Sequence, residues 1–497
     1  MTSLVERIYT LIKAGYSGIW VEAPDAVEIG IKLRQAREQF ESPVEFLFWD
    51  AVDGWKSSIE PSRNPPSKPP ILQFHEQPPR TKVVHVLVHF HRFLNAPDIV
   101  CRLLHYMRIG EQIGSSYIII VPSGVKPPAE LEHRLHMMQD ALPTIEVLKD
   151  RARSIAVSSG LEEITDDSCL AAAQAAVGLT MYEAESAFAL SLVEHKALVP
   201  KKILEVKSDL IKSSGFMDIY YDGPDFSSIG GLDHVKQFTK KCLTKNDAIA
   251  RPRGVLLLGV PGAGKSALCR AVGVETGRPV LSVNIGSLYG SLVGQTEQNV
   301  RRMLNLVDSI APCILFLDEV EKALSGLQSS GKTDSGVSAR VFGTLLTWLN
   351  DHETDVYTMV TCNDISKLPP EFSRAERFDV LFFFDLPTEK ERARIWEIYL
   401  KQYQLELLPD FSKCVTRSDS WTGAEIKTCC RLARMLGIDV LKAMDLIIPV
   451  AETMQDSLNN LRGWATGRCL DASFPVVYDS RTRETDDLLN RRVDLVS

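Results

Sequence analysis

Gly259-Val260-Pro261-Gly262-Ala263-Gly264-Lys265-Ser266 reads G-x-x-x-x-G-K-S, the pattern of a phosphate-binding loop. Before it, residues 254–258 form a short apolar run of buried-strand character, and Ala267 to Val274 after it holds good helix formers. Strand, glycine loop and helix start are the context the pattern requires. Glycines let successive backbone N–H groups turn inward around phosphate oxygens, where a side chain would block the approach. The new helix turns its positive end to the same anion. Lys265 would then reach the β- and γ-phosphates, and the Ser266 hydroxyl would bind Mg²⁺.

Two further stretches fit the same chemistry. Cys313 to Leu317 is an apolar strand candidate that ends in Asp318 and Glu319. Carboxylates at the carboxyl end of a strand emerge where ligands sit in α/β sheets. Asp318 is expected on the metal side and Glu319 beside the water that attacks the γ-phosphate. A third strand, Val356 to Asn363, ends in an amide that could orient that water. Arg374 and Arg377 follow it. Two roles fit them: charge supplied to a neighbouring subunit's γ-phosphate, or ordinary surface pairs with Glu371, Glu376 or Asp379.

The rest of the chain sets bounds. It has 497 residues, 45% apolar and 24% charged, with a net charge of -8. That length allows two to four domains. The acidic balance argues against a nucleic-acid or anionic-lipid surface, although a local basic patch stays open. No run of eighteen apolar residues predicts a membrane span, and the start Met1 to Glu6 does not read as a secretory signal. The 10 cysteines lack metal spacing and read as reduced, mostly buried thiols of a cytoplasmic protein.

The pattern predicts an α/β protein of two successive units. Residues 1–155 alternate strand candidates (Ser17 to Glu22, Phe46 to Asp50, Val83 to Phe90, Tyr117 to Val121) with helical stretches (Val27 to Phe40, Pro97 to Gln112) and carry no phosphate loop. A proline-rich run, Pro61 to Pro70, reads as a surface loop. Residues 156–215 are helical, with few turn signals from Cys169 to His195; 216–228 read as a linker. Residues 229–387 form a parallel α/β block around the phosphate loop, and 388–450 a helical lid. Residues 451–497 hold a C-terminal helix and tail, the polar stretch from Asp479 being expected to be partly disordered. A weak repeat links Tyr117–Leu131 to Tyr357–Phe372, and Gly178–Glu185 to Trp421–Ile426. On that register His89 and Phe90 stand where Asp318 and Glu319 stand. His85, His89 and His91 alternate along the expected strand and would share one face, which suggests either a metal site or a half-exposed edge.

These motifs, in this order, resemble the AAA family of ATPases. Asp225 to Leu232 is similar to the family's lead-in segment, whose backbone frames adenine. Asn363 matches the sensor-one position, Arg374 and Arg377 the arginine fingers, and Trp421 to Glu425 the lid-helix turn. The resemblance covers roughly 226–445. It implies ATP and Mg²⁺ as cofactors, with ATP held by Ile229, Gly230, Gly259, Pro261, Gly262, Ala263, Gly264, Lys265, Ser266, Ala267, Gly423 and Ala424. Ser266 and Asp318 would hold the metal; Lys265, Glu319, Asn363, Arg374 and Arg377 would be catalytic. It also implies a homo-oligomeric ring, most simply a hexamer. A narrower resemblance runs along nearly the whole chain, to AAA ATPases encoded by cyanobacteria and some plastid genomes, through stretches such as Leu288 to Glu297 and Arg340 to Leu349. That family too has a non-catalytic N-terminal half, and it implies a cytoplasmic or plastid-stromal protein.

Two departures bear on function. Leu292, Val293 and Gly294 stand where the family's unfoldases place an aromatic residue in the central-pore loop, unless Tyr289 takes that part. Ala375-Glu376 replaces the usual Pro-Gly between the fingers. The expectation is an ATPase that remodels an unidentified protein partner. The alternative is a nucleotide-dependent switch or scaffold with slow turnover and no threading. A nucleic-acid motor is disfavoured by charge.

Overall fold

The computed structural model describes residues 4–23, 25–36, 45–57, 68–76, 78–122, 125–161, 164–213, 215, 217–245, 250–288, 295–325, 335–368, 377–406 and 411–481. Tyr289, Leu292, Val293, Gly294, Arg374, Ala375-Glu376, most of the proline-rich run and the tail from 482 lie outside them. The chain divides into two units, Met1–Lys207 and Ser208–Ser497.

Strand residues alternate between two apolar faces, so each sheet is covered on both sides. In the first unit the strands are β1 (Gly18–Glu22), β2 (Glu45–Asp50), β3 (Gly54–Lys56), β4 (Val83–Val88), β5 (Ser116–Val121) and β6 (His136–Gln139), in the order β3-β2-β4-β5-β1-β6. All pairs are parallel except β2 with β3. Ile19, Val21, Val84, Val86, Ile118 and Ile120 pack on one face with Ile8, Ile29 and Leu33. Trp20, Trp49, Leu87, Tyr117 and Ile119 pack on the other with Phe74, Phe90, Leu103 and Met107. Helices Ile145–Ser158, Asp166–Ala176, Met181–His195 and Pro200–Ser213 follow.

Within the stretch Cys169 to His195 a second helix starts at Thr180, whose hydroxyl accepts the Glu183 N–H while the Glu183 carboxylate accepts the Thr180 N–H. One expectation changes here. The histidines do not share a strand face. β4 stops at Val88, His89 turns left-handed at φ 55°, and His91 lies in the short 3₁₀ turn Phe90–Phe93. His85 is buried and stacks on Tyr117 at 4.5 Å between ring centroids. Among the described residues no group of three or more metal-ligating side chains exists.

In the second unit, β7 (Met217–Tyr220), β8 (Gly254–Gly259), β9 (Val280–Val283), β10 (Cys313–Leu317), β11 (Val356–Cys362), β12 (Val380–Phe384) and β13 (Leu470–Asp471) run in the order β13-β12-β8-β11-β10-β9-β7. Only β7 is antiparallel, pairing with β9 within the stretch read as a linker. The C-terminal region adds a strand as well as a helix. β13 pairs with β12, and its continuation accepts the Val235 N–H at Ala472. This segment is anchored by Asp385, which is buried and receives Arg462 (2.8 Å from Nη2) and the Tyr478 hydroxyl (2.6 Å). Helices Glu389–Gln402, Phe411–Arg417, Gly423–Leu436 and Val440–Met444 form a helical block around Trp396, Trp421, Cys414, Cys429 and Cys430, over the residues expected to be a lid. Two of them begin with capping boxes, Thr388 with Glu391 and Thr422 with Glu425. Seven of the ten cysteines are buried near or in the two cores and the lid, Cys169 lies buried in the first unit, and all are free. No described helix is long and apolar enough to cross a membrane.

Candidate functional site

The loop after β8 turns tightly into helix Lys265–Thr276. Gly264 supplies the turn at φ 93°, a left-handed conformation that side chains resist. The first N–H groups of that helix are thereby left free of intrahelical partners. Lys265 is 6% exposed, and its Nζ donates to the carbonyls of Gly259 and Val260, both at 2.8 Å. Burial pushes this ammonium down to about 8, against the pull of Asp318, Glu319 and Glu321 nearby.

Parallel pairing of β10 with β11 sets the acidic side of the site, since Leu317 lies level with Val360. One step on, the Thr361 hydroxyl donates to Asp318 Oδ1 at 2.5 Å and accepts the Glu319 N–H at 2.8 Å. Ser266 Oγ donates to the same Asp318 oxygen at 3.0 Å. Glu319 is held in a left-handed conformation, φ 48°. Asn363 Nδ2 donates to Glu319 Oε1 at 3.0 Å, and the Asn363 N–H donates to Glu321 Oε1 at 3.1 Å. Glu321 is buried, and Lys322 pairs with the other oxygen of Glu319.

Two cavities meet at the loop. The polar one, about 220 Å³, is lined by Gly262, Gly264, Lys265, Ser266, Ala267, Asp318, Glu319, Thr361 and Asn363. The other, about 820 Å³, shares Gly262, Gly264 and Ala267 and runs on between Ser227–Gly230, Leu232, Ala263, Ile395, Ile398, Gly423 and Ala424. Its wall is closely fitted: a Cβ on Gly230 would lie 2.6 Å from Ile395 Cγ1. Glu391 ties three segments of that wall together. It caps its own helix at Thr388, accepts the Leu232 N–H at 3.4 Å and receives the Ser473 hydroxyl.

Most residues singled out in the sequence therefore converge. Ile229, Gly230, Gly262, Ala263, Gly264, Lys265, Ser266, Ala267, Asp318, Glu319, Asn363, Gly423 and Ala424 line one or both cavities. Gly259 contributes one of the carbonyls that Lys265 grips, while neither it nor Pro261 lines either of these two cavities. Arg377, in the turn before β12, lines neither; Arg374 is outside the described residues. The sequence reading missed Thr361, Glu321, Lys322 and Ser473. A hydroxyl two residues before Asn363, at the end of an apolar strand, was a signal for Thr361.

The donor set fits a magnesium nucleotide. A buried cation faces only carbonyls, a hydroxyl and a carboxylate converge at 3.0 Å, and an apolar slot adjoins a polar one through a glycine loop.

Comparisons agree in position. Residues 255–386 match the family described as ATPase family associated with various cellular activities (AAA). Residues 4–139 match the SpoVK-like AAA ATPase, N-terminal domain, and 146–214 its second domain. The AAA domain-containing protein ycf46 of Pyropia yezoensis is 31% identical, over 86% of this chain and 90% of its own length. That of Guillardia theta is 29% identical over 93% and 95%. A Cell division cycle protein 48 homolog of Archaeoglobus fulgidus is 28% identical over 57% of this chain and 40% of its own. An identity sustained along both units, with the phosphate loop inside the matched domain, means that the chain belongs to the AAA ATPase family, among the ycf46 AAA domain-containing proteins.

Proposed function

We propose that this chain is a Mg²⁺-dependent ATPase that couples turnover to remodelling of a protein partner. The observation that carries the reading is the grouping of Lys265, Ser266, Asp318, Glu319 and Asn363 around one polar cavity that opens into an apolar slot. Mg²⁺-ATP, when bound, supplies the scissile phosphoanhydride and the positive charge that draws electrons toward the leaving oxygen. The slot between Ile229, Gly230, Gly423 and Ala424 takes the purine. The backbone of residues 262–266 and the Lys265 ammonium neutralise phosphate oxygens. Ser266 and Asp318 hold the metal, and Thr361 fixes the Asp318 rotamer. Glu319 polarises a water for in-line attack, and Asn363 aims the Glu319 carboxylate. Arg374 and Arg377 act on a neighbouring subunit's phosphates, which makes the working form a ring, most simply a hexamer.

ATPase activity followed against protein concentration, with Glu319→Gln as control and mass photometry on the same samples, tests this. Specific activity rising as a ring forms supports a site shared between subunits. Flat activity from a monomer removes the trans role of the arginines. A second reading, a nucleotide-dependent switch with slow turnover, draws support from Leu292 at the pore-loop position and from the Lys322 contact to Glu319. Partner affinity that follows nucleotide state, with unchanged turnover, would favour it.

A further inference from the structure

The residue three places beyond Glu319 has no part in the catalytic roles assigned above. Lys322 lies in the first turn of helix Val320–Ser325. Its ammonium pairs with Glu319 Oε2, while Asn363 Nδ2 holds Glu319 Oε1 at 3.0 Å. Both oxygens of the carboxylate are thus engaged by the chain's own donors. The backbone of Glu319 is also fixed, by its left-handed φ of 48° and by the Thr361 hydroxyl that accepts its N–H at 2.8 Å. What remains adjustable is the side chain alone.

A carboxylate that polarises water needs an oxygen turned to that water and its full negative charge. An ammonium partner takes up one oxygen and stabilises the anion, which weakens its pull on a proton. The amide of Asn363 orients the group without neutralising it. The turn that carries Lys322 also carries Glu321, whose buried carboxylate accepts the Asn363 N–H at 3.1 Å. Two successive residues therefore grip both members of the water-activating pair.

We propose that Lys322 is a positioning residue that slows turnover by holding Glu319 in an ion pair, so that hydrolysis proceeds from the fraction of molecules in which the pair is open. This rests on the ATPase reading above. The pair is a brake of limited strength. Lys322 is 69% and Glu319 38% exposed, so water and salt compete for both partners. An exposed pair of this kind shifts a population by about two- to fivefold.

The test uses the full-length chain at fixed concentration, with kcat and KM for ATP measured at low and high NaCl. Lys322→Met, which keeps the aliphatic length, should raise kcat about two- to fivefold at low salt, with KM little changed. Lys322→Arg, which keeps the charge, should restore the low rate. The ratio of Lys322→Met to wild type should fall toward one at high salt, because screening opens the pair in the wild type. A Lys322→Met rate at or below wild type at low salt, or a ratio indifferent to salt, overturns the brake. Glu319→Gln separates the two readings. If it turns over ATP as fast as wild type, Glu319 does not polarise the water, and the site reading above fails together with the brake. If it is inactive while Lys322→Met is unchanged, only the brake fails.

Discussion

Take β1, β2, β4, β5 and β6 of the first unit beside β8, β9, β10, β11 and β12 of the second. Numbered by chain order within each set, both sheets run 5-1-4-3-2. The registers agree too. Val88 lies level with Ile120, and Leu317 with Val360, so counting from Tyr117 and Tyr357 puts His89 and Phe90 where Asp318 and Glu319 stand. The helical blocks carry the same device: Thr180 and Glu183 form a capping box, as do Thr422 and Glu425. What differs is the chemistry hung on this frame. Between β8 and the next helix lie five loop residues, 260–264; between β1 and its helix lie three, 23–25. At the lid turn the second unit has Gly423 and Ala424 in the cavity wall, where the first has Met181 and Tyr182, the latter 70% exposed. A backbone frame tolerates the loss of a site because packing and capping do not depend on the residues that meet the ligand.

The strongest way to break this contrast is at the acidic pair. Glu319→Gln should lower kcat by about 10²–10⁴, the usual worth of a positioned base. His89→Asn, which tolerates the left-handed backbone, should leave turnover unchanged. Comparable losses in the two variants, measured by steady-state ATPase assay, would mean that the first unit takes part in the chemistry.

The next contrast lies after the last strand of each five-strand set, β12 and β6. Asp385, directly after β12, is buried against Arg462 and Tyr478. Removing one partner from a buried pair costs about 3–5 kcal/mol, and Asp385→Ala should lose that much in denaturant unfolding of the second unit. Asp140, directly after β6, is raised to about 6 by burial, with Lys32 opposing and Glu28 reinforcing the shift. Its charged form is therefore the unfavourable one in the folded protein. Asp140→Asn should stabilise the first unit by about 2 kcal/mol at pH 7.5, and that gain should vanish as the pH falls from 6 to 4. A gain independent of pH would show that charge is not the cause.

The smallest effect concerns Lys265, whose ammonium burial has lowered to about 8 in the free protein. Phosphate would restore its charge, so nucleotide binding above pH 8 takes up a proton. Affinity for ATP should drop about tenfold between pH 7 and pH 9, with proton uptake visible by calorimetry in buffers of different ionisation enthalpy. A pH-independent affinity would sharpen the comparison differently, by shifting the weight of phosphate binding onto the backbone of 262–266.

Unlike the turn at Trp421 to Glu425, which was reached only through the family resemblance, the phosphate loop, the acidic strand end and Asn363 were legible because each is a local pattern of residue types suited to that chemistry. The α/β alternation was legible for the same reason: apolar runs of strand length between helical stretches leave few alternatives. The histidine row misled because periodicity assumed a strand through His91, while β4 ends at Val88 and the chain turns left-handed at His89. Strand ends are set by what the next residues pack against, which a period of two does not encode.

Sequence alone determined that this chain carries a phosphate loop with a carboxylate pair behind it, and that its first half lacks one, because both facts are written in short contiguous stretches. Only the tertiary structure decided that Thr361 would grip both Asp318 and the Glu319 backbone, that Lys322 and Asn363 would divide the Glu319 carboxylate, and that Ser473 would reach Glu391 at the cavity wall. Apart from the Lys322 contact, which spans three residues, those pairings depend on strand register and on segments up to 82 residues apart in sequence. Close contact at that separation is set by how whole elements pack, and no local pattern of residues records it.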